Sequence, residues 1–319
     1  MSLRVFISGA TGFVGSHLIR LLNPSEFTVY GCSYPEKPPP SAKNIFFCDI
    51  RSEKEVFEAI ERIKPRWIFH LAAISNIKHS WEVRKETLET NLMGTFYLFE
   101  ALRQFAPEAR ILFVSSSDIY GGLAPSEKIL IEEDPFEIVS PYAFSKAAGE
   151  LLCDFYQKIE KLDILIARPF PHTGPGQSPD FVCSDWASQI ARIERGEAEP
   201  VIKVGNLDVR RDFTDVRDVV KAYLLILKKG KKGEIYNVCR GKAISLREIL
   251  KLLLSFSSSG IQVQTDSRKL RKADIPFLVG DNQKIKKEIG WTPEIPLERS
   301  LRDLLEYWRN KGGPGKATC

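Results

Sequence analysis

The 319-residue chain is 43% apolar and 27% charged, a balance that suits a globular protein able to bury a sizeable core in one large domain or two fused ones. Its net charge of +5 is spread along the chain, and the short basic run Lys228, Lys229, Lys231 and Lys232 accompanies no nucleic-acid motif, which argues against a nucleic-acid partner. The six cysteines form neither a CxxC nor a Cys/His cluster, and the first apolar run, LRVFIS, is too short for a signal peptide or a span, so the expectation is a cytoplasmic protein with no metal, no disulfide framework and no membrane partner.

Short β-branched and aromatic runs alternate with amphipathic stretches. RVFIS (4–8), TVYGC (28–32), NIFFC (44–48), RWIFHLA (66–72), RILFVSS (110–116) and DILIAR (163–168) read as strands. EKEVFEAIERI (53–63), TNLMGTFYLFEALRQFA (90–106) and SKAAGELLCDFYQKIEK (145–161) read as helices between them. This rhythm predicts a parallel sheet covered on both faces, an α/β, Rossmann-like, doubly wound fold that binds ligands at the carboxyl ends of its strands. After Arg168 comes a Pro- and Gly-rich loop, PFPHTGPGQSP (169–179). DVRDVVKAYLLILKK (215–229) and EIYNV (234–238) read as a helix and strand that rejoin the main sheet. The expected division is a dinucleotide-binding domain over 1–168 with 214–242 returning to it, a smaller α/β substrate domain over 169–213 and 243–311, and a flexible tail over 312–319.

The first strand runs into GATGFVG, residues 9–15, and then a helix. Gly9, Gly12 and Gly15 permit a tight turn and close approach of a pyrophosphate to the helix N-terminus, with Thr11, Phe13 and Val14 in the same loop. A glycine-rich turn alone also has a purely structural reading; its place between strand and helix favours a dinucleotide. The second strand ends without the carboxylate that would bind the ribose of NAD. Ser33 and Tyr34 stand there instead, with Lys37 nearby, so NADP(H) is preferred and NAD(H) stays open. Asp49 and Ile50, after the third strand, are placed at the adenine, although Asp49 equally suits a cap for the helix that starts near Ser52.

SPYAFSK (140–146) sets Tyr142 four residues before Lys146, one above the other on a helix face. The fifth strand ends in Ser115, Ser116 and Ser117, followed by DIYG. A strand-end serine, a phenol and an ammonium suit hydride transfer at a carbonyl or alcohol: serine holds the oxygen, and Tyr142 gives or takes the proton. The ammonium is expected to lower the phenol's pKa. YxxxK by itself arises often by chance; the combination with the serine and the glycine turn is far more specific.

GATGFVG, HLAA (70–73), NLMGT (91–95), SSSDIYG and YAFSK resemble the extended short-chain dehydrogenases/reductases that act on nucleotide sugars, over nearly the whole chain. The resemblance implies Ser116 as the catalytic serine, Tyr142 as acid/base and Lys146 as its partner on the nicotinamide ribose. It also places Leu71, Ala72 and Ala73 along the cofactor, Asn91 as a support for the active-site helix, and a homodimer built from helices around 82–105 and 142–160. VGNLDVRRDFTDVRD (204–218) and LRKADIPFLVGDNQKIKKEIGW (270–291) resemble segments of GDP-4-keto-6-deoxy-D-mannose reductases, and GDP-mannose 4,6-dehydratases share part of them. A GDP-linked sugar substrate follows, with Arg211 and Arg271 on the pyrophosphate, Asp274 on the ribose, and Lys203 as a further phosphate ligand; either arginine also reads as a surface ion-pair partner. Ser117, Asp118, Pro171 and Gln177 fall at the sugar. His172 falls at the cofactor or simply orders its loop. Two departures stand out: Pro171 occupies a position where the family commonly has Asn, and Asp118 one where its dehydratases usually carry Glu as the base. The shorter Asp tilts the expectation to reduction of the C4 ketone, giving GDP-6-deoxyhexose, GDP-D-rhamnose in particular. A dehydratase, an epimerase and a non-catalytic dinucleotide-binding protein stay open as alternatives.

Overall fold

The computed structural model describes residues 2–35, 44–121, 127–269 and 275–311. Seven strands form the main sheet: β1 (Leu3–Ser8), β2 (Phe27–Ser33), β3 (Ile45–Phe47), β4 (Trp67–His70), β5 (Arg110–Val114), β6 (Asp163–Pro169) and β7 (Ile235–Val238). Every pairing is parallel, and the spatial order is β7-β6-β5-β4-β1-β2-β3. The chain winds outward from β1 to β3, then returns to the other side of β1 with β4. A crevice opens where that direction reverses, beyond Ser8 of β1 and His70 of β4, which lie opposite each other in register.

Side-chain alternation builds a core on each face. Val5 and Ile7 of β1 point to one side and Phe6 to the other. On the first face lie α1 (Phe13–Leu21) and, further along the chain, the helix Val216–Lys229. On the second lie α2 (Glu53–Ile63), α3 (Gly94–Phe105) and α4 (Pro141–Lys158), through Val56, Ile60, Leu98, Phe99, Leu102, Cys153 and Tyr156. Local chemistry starts these helices, α2 at the expected residue and α4 four residues before the expected Ser145. Ser52 caps α2 by accepting the Glu55 amide, and Ser140 caps α4 by accepting the Ala143 amide, with Pro141 in its first turn.

A second, smaller body is built by α5 (Val182–Glu194), α7 (Leu246–Ser255) and α8 (Leu297–Lys311), with α6 being the helix Val216–Lys229 already described. Trp186, Ile190, Ile249, Leu253, Leu301 and Leu304 form its core. A four-stranded sheet of Ile244–Ser245, Arg210–Arg211, Phe277–Gly280 and Ile129–Leu130 borders it, and Val201–Val204 pairs with Gln262–Thr265. Among the described residues no helix is long and apolar enough to cross a membrane.

Candidate active site

The crevice widens into a cleft of about 1650 Å³ that runs from the glycine turn, past the end of β5, to the smaller body. That exceeds the roughly 300–1,000 Å³ usual for one small ligand and suits two. Its floor is set by β1 and α1. Gly9 has φ +71°, a left-handed conformation that side chains rarely adopt, and a Cβ there would stand 3.0 Å from the Ala72 amide nitrogen. A Cβ on Gly15 would collide with the Gly9 carbonyl oxygen. The N-cap of α1, Gly12, supplies no side chain, so the first amides of the helix face the cleft uncapped. This cradle fits the pyrophosphate of a dinucleotide.

The neighbouring HLAA segment is pinned from behind. Ser8 Oγ accepts the Leu71 and Ala72 amides at 3.0 and 3.1 Å, so its own proton goes to His70 Nδ1 at 2.7 Å. His70 Nε2 must then carry the ring proton, which it gives to Thr95 Oγ1 at 2.9 Å. Burial, and then the Lys146 charge, push the His70 pKa down to about 3, so the ring stays neutral. Thr95 passes its proton to the Asn91 carbonyl at 2.6 Å. Asn91 sits in a π-helical segment, Glu89–Met93, that leads into α3. Its amide bonds both backbone groups of Ile74 and the Ser145 hydroxyl, which donates to the Tyr142 carbonyl. Asn91 thus ties the strand-end loop to the tyrosine helix.

At the end of the cleft where adenosine is expected, Tyr34, Asp49 and Ile50 line the wall. Ser33 does not: it is buried, and its hydroxyl pairs with Thr11 at 2.8 Å. Asp49 does not cap α2, because Ser52 does. Its carboxylate instead holds Arg51, with Nε–Oδ1 at 3.0 Å and Nη2–Oδ2 at 2.8 Å. Burial opposes ionisation of Asp49, but Arg51 holds its pKa below the ordinary value. Arg51 also lines the cleft and bonds the Tyr34 hydroxyl at 2.6 Å. The sequence reading passed over this arginine, although a cation straight after Asp49-Ile50 was its visible signal.

At the chemical end, β5 delivers Ser116 and α4 delivers Tyr142 and Lys146 to one wall. Gly149 allows this: a Cβ there would fall on the Phe113 ring, so α4 lies close against β5. Ser116 Oγ accepts the Asp118 amide and donates to Asp118 Oδ2, both at 3.1 Å, and it lies close enough to the Tyr142 phenol to lower its pKa. Lys146 Nζ donates to the Val114 carbonyl at 2.7 Å. Burial pulls the Lys146 pKa down to about 8, opposed by Cys153 and Glu150. The expected lowering of the phenol's pKa is not what the protein's own groups produce. Burial and then the Asp118 carboxylate raise it, against the effect of Ser116, and Lys146 is not among the groups that shift it.

Under this wall lies a sealed ionic cluster. Arg168 of β6 meets Glu150 of α4 through two bonds, at 2.9 and 2.7 Å, and donates to the Tyr120 hydroxyl at 2.8 Å. Tyr120 closes the short helical turn after Ser116 and donates to Asn237 of β7.

On the far side, Ser117, Asp118, Pro171, His172, Gln177, Lys203 and Arg211 all line the cleft. Gln177 spends its amide inside its own loop, donating to the His172 carbonyl at 2.9 Å and accepting from Thr173 at 2.7 Å. His172 donates from Nδ1 to the Phe170 carbonyl at 3.0 Å and stacks on Phe13 at 6.1 Å between ring centroids. Burial lowers its pKa, so Nε2 is an acceptor. Lys269, which the sequence reading also missed, joins Lys203 and Arg211 in the wall and pairs with Asp185 at 3.4 Å. Lys37, Arg271 and Asp274 lie outside the described residues.

A doubly wound sheet of this order, with a glycine cradle at one end of its crevice and a Tyr-Ser-Lys wall at the other, is of the short-chain dehydrogenase/reductase class. The comparison with known proteins carries this further. The chain belongs to the GDP-mannose 4,6 dehydratase family, whose model matches residues 6–304. A GDP-6-deoxy-D-mannose reductase from Pseudomonas aeruginosa is 34% identical over 98% of this chain and 99% of its own. The structure of RMD from Pseudomonas aeruginosa complexed with NADPH superposes with a TM-score of 0.86 at 33% identity, covering 97% of this chain and 100% of that one. A UDP-glucose 4-epimerase from Thermus thermophilus, complexed with NAD, gives a TM-score of 0.86 at 26% identity, over 96% and 99% of the two chains.

Proposed function

We propose that this chain is a cytoplasmic NAD(P)H-dependent reductase of the C4 ketone of GDP-4-keto-6-deoxy-D-mannose, forming a GDP-6-deoxyhexose, GDP-D-rhamnose in particular. The observation that carries this reading is the meeting of Tyr142, Ser116 and Lys146 at the end of β5, inside a cleft wide enough for a dinucleotide and a sugar nucleotide together. The relatives that act on GDP-sugars support the choice of substrate. NADPH is preferred over NADH because no carboxylate ends β2 and Arg51 stands beside Tyr34.

The residues divide the work as follows. The cradle of Gly9, Gly12 and Gly15 holds the dinucleotide pyrophosphate, and Asp49, Ile50, Leu71, Ala72 and Ala73 lie along its adenosine half. The dihydronicotinamide supplies the hydride to C4. Ser116 donates a hydrogen bond to the ketone oxygen, turning its proton away from Asp118. Tyr142 gives its proton to that oxygen as it becomes an alkoxide; a phenol held above its ordinary pKa arrives protonated for this task. Lys146 holds the nicotinamide ribose. Lys203, Arg211 and Lys269 meet the GDP phosphates, and residues 169–213 with 243–311 form the sugar-nucleotide side. Two copies associate through α4 and the segment before α3, where Trp81, Met93, Phe144, Leu151, Phe155 and Ile159 are exposed.

The test mixes the purified protein with the 4-keto sugar nucleotide and NADPH, follows loss of reduced-nicotinamide absorbance and assigns C4 of the product by NMR. One equivalent of NADPH consumed per ketone is expected. Tyr142→Phe should keep NADPH binding and lose about 10²–10⁴-fold in kcat. Turnover of GDP-mannose without added reductant, and none of the ketone, would replace this reading by the dehydratase one.

A further inference from the structure

A dinucleotide bound across a sheet of this kind sets its adenosine ribose at the carboxyl end of the second strand. Here β2 stops at Ser33, which is buried, and the next residue, Tyr34, lines the cleft. Arg51 reaches the same spot from beyond β3. Its Nη2 donates to the Tyr34 hydroxyl at 2.6 Å, and its guanidinium lies over the Tyr34 ring, 4.8 Å from the centroid. A phosphate on the ribose 2′-oxygen would arrive beside a guanidinium, whose fork suits it.

That guanidinium is already engaged. Asp49 holds its Nε and Nη2, and Glu86 Oε1 accepts from Nη1 at 3.1 Å. Two carboxylates face one cation, so the group is net negative and opposes an incoming phosphate. The two carboxylates are not held equally. Asp49 bonds the guanidinium through both oxygens, its Oδ1 also accepts the Arg51 amide at 2.9 Å, and its side chain is 19% exposed. Glu86 comes from a separate element, the short helix Arg84–Leu88. Its carboxylate makes one hydrogen bond among the described residues, and its side chain is 45% exposed. Glu86 lines both the cleft and a hollow of about 480 Å³ beside it, so it has open space to turn into.

We propose that Glu86 sets the cofactor preference of this chain by competing for Arg51. It occupies the guanidinium when the ribose carries a 2′-hydroxyl and releases it when a 2′-phosphate arrives, while Asp49 keeps Arg51 aimed throughout. Binding the phosphate breaks the Glu86 ion pair and brings two anions close together. Glu86 therefore holds the preference for NADPH below what Arg51 alone would give, and NADH remains usable. The inference rests on the dinucleotide reading above.

The test titrates wild type, Glu86→Gln and Arg51→Gln with NADPH and with NADH, which differ only in the 2′-phosphate. Both side chains are partly exposed, so neither change opens the core. Glu86→Gln should bind NADPH about two- to fivefold more tightly, the effect of one exposed ion pair, and bind NADH as wild type does. Arg51→Gln should weaken NADPH about tenfold or more, the effect of a charged hydrogen bond, and leave NADH within about twofold. Glu86→Gln that weakens NADPH, changes neither cofactor or moves both by the same factor would make Glu86 a structural partner of Arg51 and overturn the proposal. Arg51→Gln that weakens both cofactors alike would put the guanidinium on a part they share, and overturn it too. Wild-type protein that binds neither cofactor would defeat the dinucleotide reading itself.

Discussion

Lys146 is buried, and its pKa lies near 8 where an ordinary lysine titrates near 10.5. Tyr142 faces it from one turn earlier on α4, Glu150 and Cys153 lie further along the same helix, and Asp118 faces the phenol from beyond β5. Because the phenol is raised and the ammonium lowered, the lysine loses its proton first as pH rises. In the role proposed for Lys146, the ammonium present below about pH 8 would attract the anionic cofactor, and above that pH the attraction would be lost. NADPH affinity should therefore fall on the alkaline side of 8, by at most about tenfold per pH unit for one linked proton. Fluorescence titrations across that range check this. In Lys146→Met the affinity should be lower throughout and the alkaline fall absent; a fall that persists there would assign the titration to another group.

At the scale of elements, α4 is bound to the sheet by one buried ion pair. Glu150 and Arg168 have side chains only 4% and 3% exposed. Glu150→Gln leaves the guanidinium buried without its counter-charge and should cost about 3–5 kcal/mol of stability, read from urea unfolding. Replacing both residues by apolar ones of similar volume should recover most of that loss. This pair shows where legibility in the sequence ended. The strands and helices were readable because their apolar periods of 2 and about 3.6 are local. The glycine turn and the Tyr-Lys spacing were readable for the same reason. The Glu150–Arg168 pairing, the Asn91 bracket, the retreat of Ser33 behind Thr11 and the arrival of Lys269 depend on chain segments far apart in sequence. No local period encodes them.

For the whole molecule, the proposed association would give α4 two faces with different duties. Its inner face carries Tyr142, Lys146 and Glu150; its outer face leaves Phe144, Leu151, Phe155 and Ile159 between 50% and 66% exposed. Burying such a stripe against a second copy removes it from water. Leu151→Lys should convert a dimer to a monomer in sedimentation or light scattering, with NADPH binding per chain retained. A wild-type chain that is monomeric at every concentration would refute the association. That proposed double duty would also set the helix's capacity to change. Its exposed positions outside the apolar stripe are Asp154 and Lys158, which pair with each other one turn apart at 2.8 Å. In a library randomised across residues 141–158 and selected for turnover, broad tolerance is expected at those two sites, while its inward and apolar positions answer to chemistry or to assembly. Such a segment drifts slowly, and adaptation to a new sugar would be left to the loops of the opposite wall.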